Sequence, residues 1–374
     1  YVDQTDKEAK SLLEWSKPKF FDAWLTWHYR SSFGELISFS NAAFYNDYMQ
    51  IAPAVTKRGT GKPIEFHQVE GRWENSVNRI EAGKIVELVF DLLQSDDHPT
   101  IGVIAFNQKQ AALIGDLLEQ AAYDDPVRQS LLDREKARKN GEENIGLFVK
   151  NIENVQGDER DIILFSVTYA KDANDRMVSN FGPLSTDGGE NRLNVAISRA
   201  RQKTYIVCSF DPSEWIRAET YAKGVRLFKK YLEYGKAVSD GNEERAETIL
   251  SNLLDGSRLN EDPKELQYDS VFEEQVAEAL RKRNYEVHTQ VGFSGYRIDL
   301  AIVAPNDDRY ILGIECDGAM YHSSKVARER DMYRQRFLES KGWTIHRIWS
   351  RNWWISREHE LQKIEAIVAK LTRK

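Results

Sequence analysis

The sequence predicts an α/β protein of two units, a parallel-sheet lobe followed by a smaller mixed α/β domain, and three observations carry that prediction. First, residues 161–168 (DIILFSVT) and 204–209 (TYIVCS) are β-branched and aromatic runs bounded by charge, the pattern of strands buried on both faces. Between them Leu193, Val195, Ala196, Ile197 and Ala200 recur at roughly helical spacing, which makes 191–202 a crossover helix and the whole a βαβ unit. Second, the chain from Pro263 onward reads helix, three strands, helix, strand. Third, 374 residues is long for one hydrophobic core, and apolar residues thin out near 237–262. The expected division is therefore a first unit over 1–236, a connector over 237–262 and a second unit over 263–374.

Charge and cysteine usage narrow the class. The net charge of −7 excludes a uniformly basic coat, so nucleic acid would have to be bound by local patches. From Pro263 onward there are 19 Lys+Arg against 17 Asp+Glu, leaving 33 against 42 before it, so the second unit is the less acidic. Two cysteines, Cys208 and Cys316, both in strand-like runs, argue against a disulfide scaffold or cysteine zinc site and fit a reducing cytoplasm. No apolar run approaches the length of a membrane span, no signal peptide opens the chain, and a start at Tyr1 suggests a piece of something longer.

In chain order, 5–15 is expected to be a charged helix, and 34–44 a second helix after the aromatic-rich LTWHYRS. KRGTGKP at 57–63 is a basic turn and not a phosphate loop: Thr56 stands at the first glycine position and Pro63 follows Lys62. Residues 81–93 place Ile85, Leu88, Val89, Leu92 and Leu93 on one helical face, 101–106 is a strand, and 107–122 a strand-to-helix step. The stretch 124–144 is a charged surface segment, 145–149 starts a strand, and 172–189 is a long, mobile polar loop.

The segments VQGDERDIILFS and NRLNVAISRAR resemble motifs V and VI of superfamily one helicases, the branch that contains the nonsense-mediated decay helicase, and LTWHYRS resembles motif IV. The resemblance implies a RecA-like second motor lobe. It sets Gly157 and Glu159 by the nucleotide ribose, makes Arg199 an arginine finger for the γ-phosphate and Arg30 a second cation there, and leaves Tyr29 or Trp27 as a stacking surface. Gln156 and the strand end at Ser166 and Thr168 would face the nucleic-acid track. Gln110 is a backbone contact by the same resemblance, or a solvent-facing glutamine at a helix start. With neither a Walker A loop nor a strand-terminal DExx pair, the chain would use ATP only together with a missing first lobe.

In the second unit 270–283 reads as a helix with Ser270 and Glu273 as a capping box. Strands follow at 285–291, in YRIDLAIVA and in YILGIECDG, then a helix over 325–340 and the strand WTIHRIW. Asp299 and Glu315 interrupt apolar strands, where an unpaired carboxylate is costly, so a divalent cation, Mg²⁺ or Mn²⁺, is the economical partner. The block ECDGAMYH, in this element order, resembles the PD-(D/E)xK nuclease superfamily and its very-short-patch repair branch, which implies a restriction-endonuclease-like domain.

By that resemblance Asp299 is the principal metal ligand, with Glu315 and the Cys316 carbonyl nearby, His322 is the acid or base, and Glu273 orients a water or a second metal unless it is only a cap. Asp317 stands where the superfamily has lysine, and Arg328, Arg334 and Arg347 would hold phosphates. The expected whole is the C-terminal part of a DNA helicase-nuclease. The alternatives are a platform that docks nucleic acid without cutting it and an RNA-directed helicase fragment.

Overall fold

A computed structural model describes residues 12–16, 19–21, 26–55, 62–215, 221–254, 263–292, 297–317 and 325–372, the side chains at 13–14, 263–270 and 325–331 excepted. The chain opens with α1 (Leu12–Ser16), β1 (Trp27–His28), α2 (Glu35–Tyr45) and β2 (Gln50–Ile51), the two short strands pairing in parallel. Most of the helix expected at 5–15, and most of the basic turn at 57–63, lie outside the described residues.

The first unit continues through β3 (Ile64–Gln68), α3 (Arg79–Leu93), β4 (Ile101–Ala105), α4 (Gln108–Tyr123) and α5 (Pro126–Lys136). A two-residue hairpin, β5 (Lys139–Asn140) and β6 (Glu143–Asn144), precedes β7 (Phe148–Asn151), β8 (Arg160–Ser166), α6 (Gly189–Ile197) and β9 (Ala200–Cys208). Five strands form one sheet in the order β3-β9-β8-β4-β7, every pairing parallel. Alternation along each strand builds two cores. Ile163 and Phe165 of β8 and Ile206 of β9 face α2 and α6, whereas Ile162 and Leu164 of β8 and Tyr205 of β9 face α3, α4 and α5.

Asn78 and Asn107 cap α3 and α4, their side chains accepting from Glu81 N and Gln110 N. Within the loop expected at 172–189, Phe181 and Leu184 are fully buried, and Phe181 stacks on Trp215 at 4.7 Å.

Two further helices, α7 (Lys223–Ser239) and α8 (Glu243–Ser251), close the first core. Ala246, Ile249 and Leu250 of α8 are buried there, so the first half of the expected connector is a docked helix. Its acidic residues mark a solvated face, with the apolar ones at helical spacing beneath.

The second unit comprises α9 (Pro263–Arg281), β10 (Val287–Val291), β11 (Ile298–Val303), β12 (Tyr310–Asp317), α10 (Lys325–Ser340), β13 (Ile345–Trp349), α11 (Ser350–Ile355) and α12 (Arg357–Leu371). The sheet order is β10-β11-β12-β13, the first two pairings antiparallel and the last parallel. Helix α9 begins seven residues before Ser270, so Ser270 is not a cap and Glu273 projects from mid-helix. Pro263 is the start signal, a proline at the first helical position.

The N-terminal segment joins the two units. Trp27 lies 4.6 Å from the Phe337 ring, Lys341 Nζ donates to the Tyr29 carbonyl at 2.5 Å, Trp343 Nε1 to the Pro53 carbonyl at 2.9 Å and Tyr310 N to the Val55 carbonyl at 2.7 Å. Ala52 is buried in one apolar cluster with Ile298, Ala301, Val303, Leu338 and Trp343.

Candidate functional site

One polar cluster gathers at the amino ends of β8 and β9. Helix α6 ends at Ile197 with Ser198 as its C-cap, and β9 starts at Ala200, earlier than the run TYIVCS suggests, bringing Arg199, Arg201 and Lys203 to its amino end. Gly157 holds φ +91, a left-handed conformation suited to glycine, and turns the chain into β8.

Glu159 then stands between two guanidinium groups, accepting from Arg30 Nε at 2.5 Å and from Arg201. Burial opposes the charged form of Glu159, but these two hydrogen bonds outweigh it and hold its pKa below the usual carboxylate value. Arg30 also donates to the Ser198 carbonyl at 3.1 Å. Arg199 donates to Val195 O at 2.7 Å and Asp158 O at 3.3 Å, and burial followed by the charge of Arg30 lowers its pKa. Arg30, Glu159 and Arg199 are thus brought together as expected, with Gly157 on the same loop. Arg201 joins the cluster without having been assigned a role from the sequence, where its one signal is a cation two residues after Arg199. The cluster sits at the amino ends of its strands, opposite the carboxyl ends where an open parallel sheet ordinarily takes ligand.

The expected nucleic-acid track is corrected. Gln156 is exposed before β8, whereas Ser166, the last residue of that seven-residue strand, and Thr168 just after it are buried, about 20 Å away at the usual rise. Gln110 is fully buried, accepting from Asn78 N at 2.8 Å and donating to Asn78 O at 2.9 Å and Ser166 Oγ at 3.0 Å. Ser166 and Thr168 bind Glu81 directly, and Gln110 is linked to it through Ser166 and Asn78. Its carboxylate accepts from Thr168 N at 2.5 Å, Ser166 Oγ at 3.1 Å, Ser209 Oγ at 2.7 Å and Asn78 Nδ2 at 3.1 Å. Burial pushes the Glu81 pKa up to about 7 despite these donors. Thr168, with φ +70, is thereby locked as the strand leaves the sheet.

The second cluster lies on one face of the smaller sheet. The β11–β12 register pairs Leu300 with Ile314, so one step on Asp299 opposes Glu315 and their side chains share a face. The parallel β12–β13 register adds Arg347 beside Glu315 and Trp349 beside Asp317. Cys316 N donates to Asp299 Oδ2 at 2.7 Å. Arg334 of α10 lies 3.6 Å from Glu315, and Arg347 3.7 Å from Asp317.

Burial and then the Glu315 charge raise the Asp299 pKa to about 8 against the Cys316 N–H; Glu273 acts in the same direction and Arg334 against it. Glu273 accepts from Gln290 Nε2 at 2.7 Å. The Cys316 thiol is buried on the opposite, apolar face, and its N–H is used by Asp299, which leaves only its carbonyl toward a cation. His322 and the Arg328 side chain lie outside the described residues.

Among the described residues no group of three or more His, Cys, Asp or Glu side chains stands ready to hold a metal. The donor set nevertheless fits Mg²⁺, which usually keeps several waters and takes one or two carboxylates together with substrate phosphates.

The fold and the two clusters define a RecA-like lobe joined to a restriction-endonuclease-like domain. The chain belongs to the AAA domain family, whose model matches residues 10–211, and the restriction-endonuclease-type family REase MTES_1575 matches 272–368. It is 33% identical over 346 residues to the uncharacterized ATP-dependent helicase MG140 homolog of Mycoplasma pneumoniae, covering 91% of this chain and 29% of that protein. It is 32% identical over 350 residues to the MG140 protein of Mycoplasma genitalium, which has the same helicase name, covering 92% and 30%. The chain spans less than a third of the length of these relatives. The C-terminal domain of a possible DNA helicase from Lactobacillus plantarum WCFS1 aligns at 14% identity over 48% of this chain and 87% of its own length, with a TM-score of 0.26, too low to bear on the fold. Among the described residues no helix is long and apolar enough to cross a membrane.

Proposed function

We propose that this chain couples half of an ATP-driven helicase motor to a nuclease that hydrolyses phosphodiesters of DNA with the help of a divalent metal. The observation that carries the reading is the cross-strand pairing of Asp299 and Glu315 on a polar face flanked by Arg334 and Arg347. Asp299, Glu315 and the Cys316 carbonyl would hold Mg²⁺ or Mn²⁺. Such an ion, when bound, polarises a phosphodiester and lowers the pKa of a water. Arg334 and Arg347 give an arriving phosphate positive charge beside those carboxylates. Arg347, next to Asp317, supplies a cation near the position where the superfamily has lysine. Glu273 adds negative charge near Asp299 and suits the orientation of a water.

In the motor half, Arg30 and Arg199 converge at one loop through Glu159 and Ser198. Their place at the amino ends of two interior strands suits a nucleotide held mainly by another lobe, with Arg199 and Arg30 reaching its γ-phosphate and Gly157 and Glu159 its sugar. Both relatives carry ATP-dependent helicase names, which supports a motor role.

The test is nicking of supercoiled plasmid in Mg²⁺ or Mn²⁺ by the chain and by Asp299→Ala. Metal-dependent nicking abolished by the substitution supports cleavage. Nicking unchanged by it, or none in either protein, supports a docking platform instead.

A further inference from the structure

Residues 340–357 (SKGWTIHRIWSRNWWISR) contain four tryptophans, four Lys or Arg residues and no Asp or Glu. Aromatic residues interleaved with cations are the composition of a strand-binding surface. Two of the four tryptophans are structural: Trp343 is buried, stacks on Tyr310 and donates to Pro53, and Trp353 is buried beneath Arg357.

The other two are exposed, Trp349 by 43% and Trp354 by 64%. Trp349 pairs with Asp317 in the parallel register, so by strand alternation it lies on the carboxylate face, at the rim where β13 ends. Arg351, Trp354 and Ile355 then share one side of α11 at i, i+3 and i+4, and all three are exposed. Ser350 and Trp353 point into the core from the other side, so the exposed side is not needed for packing.

We propose that Trp349 and Trp354, together with Arg351, form a stacking platform for unpaired bases of a nucleic-acid strand that leads to the Asp299–Glu315 carboxylates. A stacking indole needs a free base face, which a single strand offers and a closed duplex does not, while Arg351 and Arg347 match the backbone charge. Where the strand leads rests on the cleavage reading above; the binding itself does not.

Binding is measured in EDTA at fixed salt with the full chain, using oligothymidylate, oligouridylate and a blunt duplex of equal length. Trp349→Ala and Trp354→Ala are each expected to weaken binding of one or both single strands about tenfold, within the range for loss of one base–aromatic stack, while Trp354→Phe retains most of it. Duplex binding should not change. A strand carrying one 5-iododeoxyuridine, irradiated and mapped by peptide mass spectrometry, should give adducts at Trp349 or Trp354. Unchanged strand affinity in both alanine variants, equal losses on duplex, or adducts confined to other residues would overturn the platform. Strand binding is read in EDTA and cleavage on plasmid with metal, so that failure of cleavage and failure of the platform are read separately.

Discussion

Replacing Glu81 by Gln should change the pH dependence of the first unit's stability. The folded carboxyl has a pKa of about 7, raised by burial from an ordinary 4.5. Below pH 4.5 folded and unfolded chains both hold the proton and the contribution to stability is complete. As pH rises, the unfolded chain releases the proton first, so stability is lost progressively until the folded carboxyl titrates near 7, and is level thereafter. The difference corresponds to about 3 kcal/mol.

Glutamine removes the titration but keeps one acceptor, which can serve Thr168 N–H and Ser166; its amide then faces Ser209 Oγ and the Asn78 amide, losing one hydrogen bond worth about 1 kcal/mol. At pH 4.5 the variant should therefore be slightly the weaker. By pH 8 the difference should have moved about 3 kcal/mol in its favour. Amide hydrogen exchange of β8 and β9 at a series of pH values reads this core apart from the other unit. Parallel pH profiles for the two proteins would refute the assignment of a titrating carboxyl inside this network.

Other consequences are equally direct. Trp343→Ala removes a buried indole at the junction of the two units, so chemical denaturation should show a loss of about 3–5 kcal/mol for the second unit. Gln110→Ala leaves buried polar groups of Asn78 and Ser166 without this partner and should cost about 1–3 kcal/mol, whereas a nucleic-acid contact would show as weaker binding at unchanged stability. In a longer protein that carries the first lobe, Arg199→Ala should lower ATP turnover by about 10³-fold or more with little effect on folding, measured by phosphate release. Glu159→Gln should reduce turnover less, since Arg30 keeps its bond to Ser198.

Much of the architecture was legible because strands buried on both faces and amphipathic helices leave strong periodic patterns. The helix over 325–340 and the order around Asp299 and Glu315 follow directly from them. Burial of polar residues was harder to read. In the sequence Gln110 reads as a helix-start glutamine and Ser166 and Thr168 as a strand end open to nucleic acid; Glu81, arriving from a distant helix, binds the latter two, and Gln110 is held through Ser166 and Asn78. Helix α9 starts at Pro263, not at 270, because proline favours a first helical position, whereas the Ser270–Glu273 pattern that marks a start in the sequence falls inside the helix. The apolar pattern of 193–200 runs past the end of α6 at Ile197, because its last residue, Ala200, already belongs to β9. The carboxylate pair was legible as acids within apolar strands, but the ion pairs of Arg334 and Arg347 depend on register and on the placement of α10.

The most direct measurement is anomalous diffraction from crystals of the chain soaked in Mn²⁺. The account predicts a peak within about 2.1 Å of oxygens from both Asp299 and Glu315. No peak at saturating Mn²⁺, with the Arg334 guanidinium lying between the two carboxylates, would contradict it.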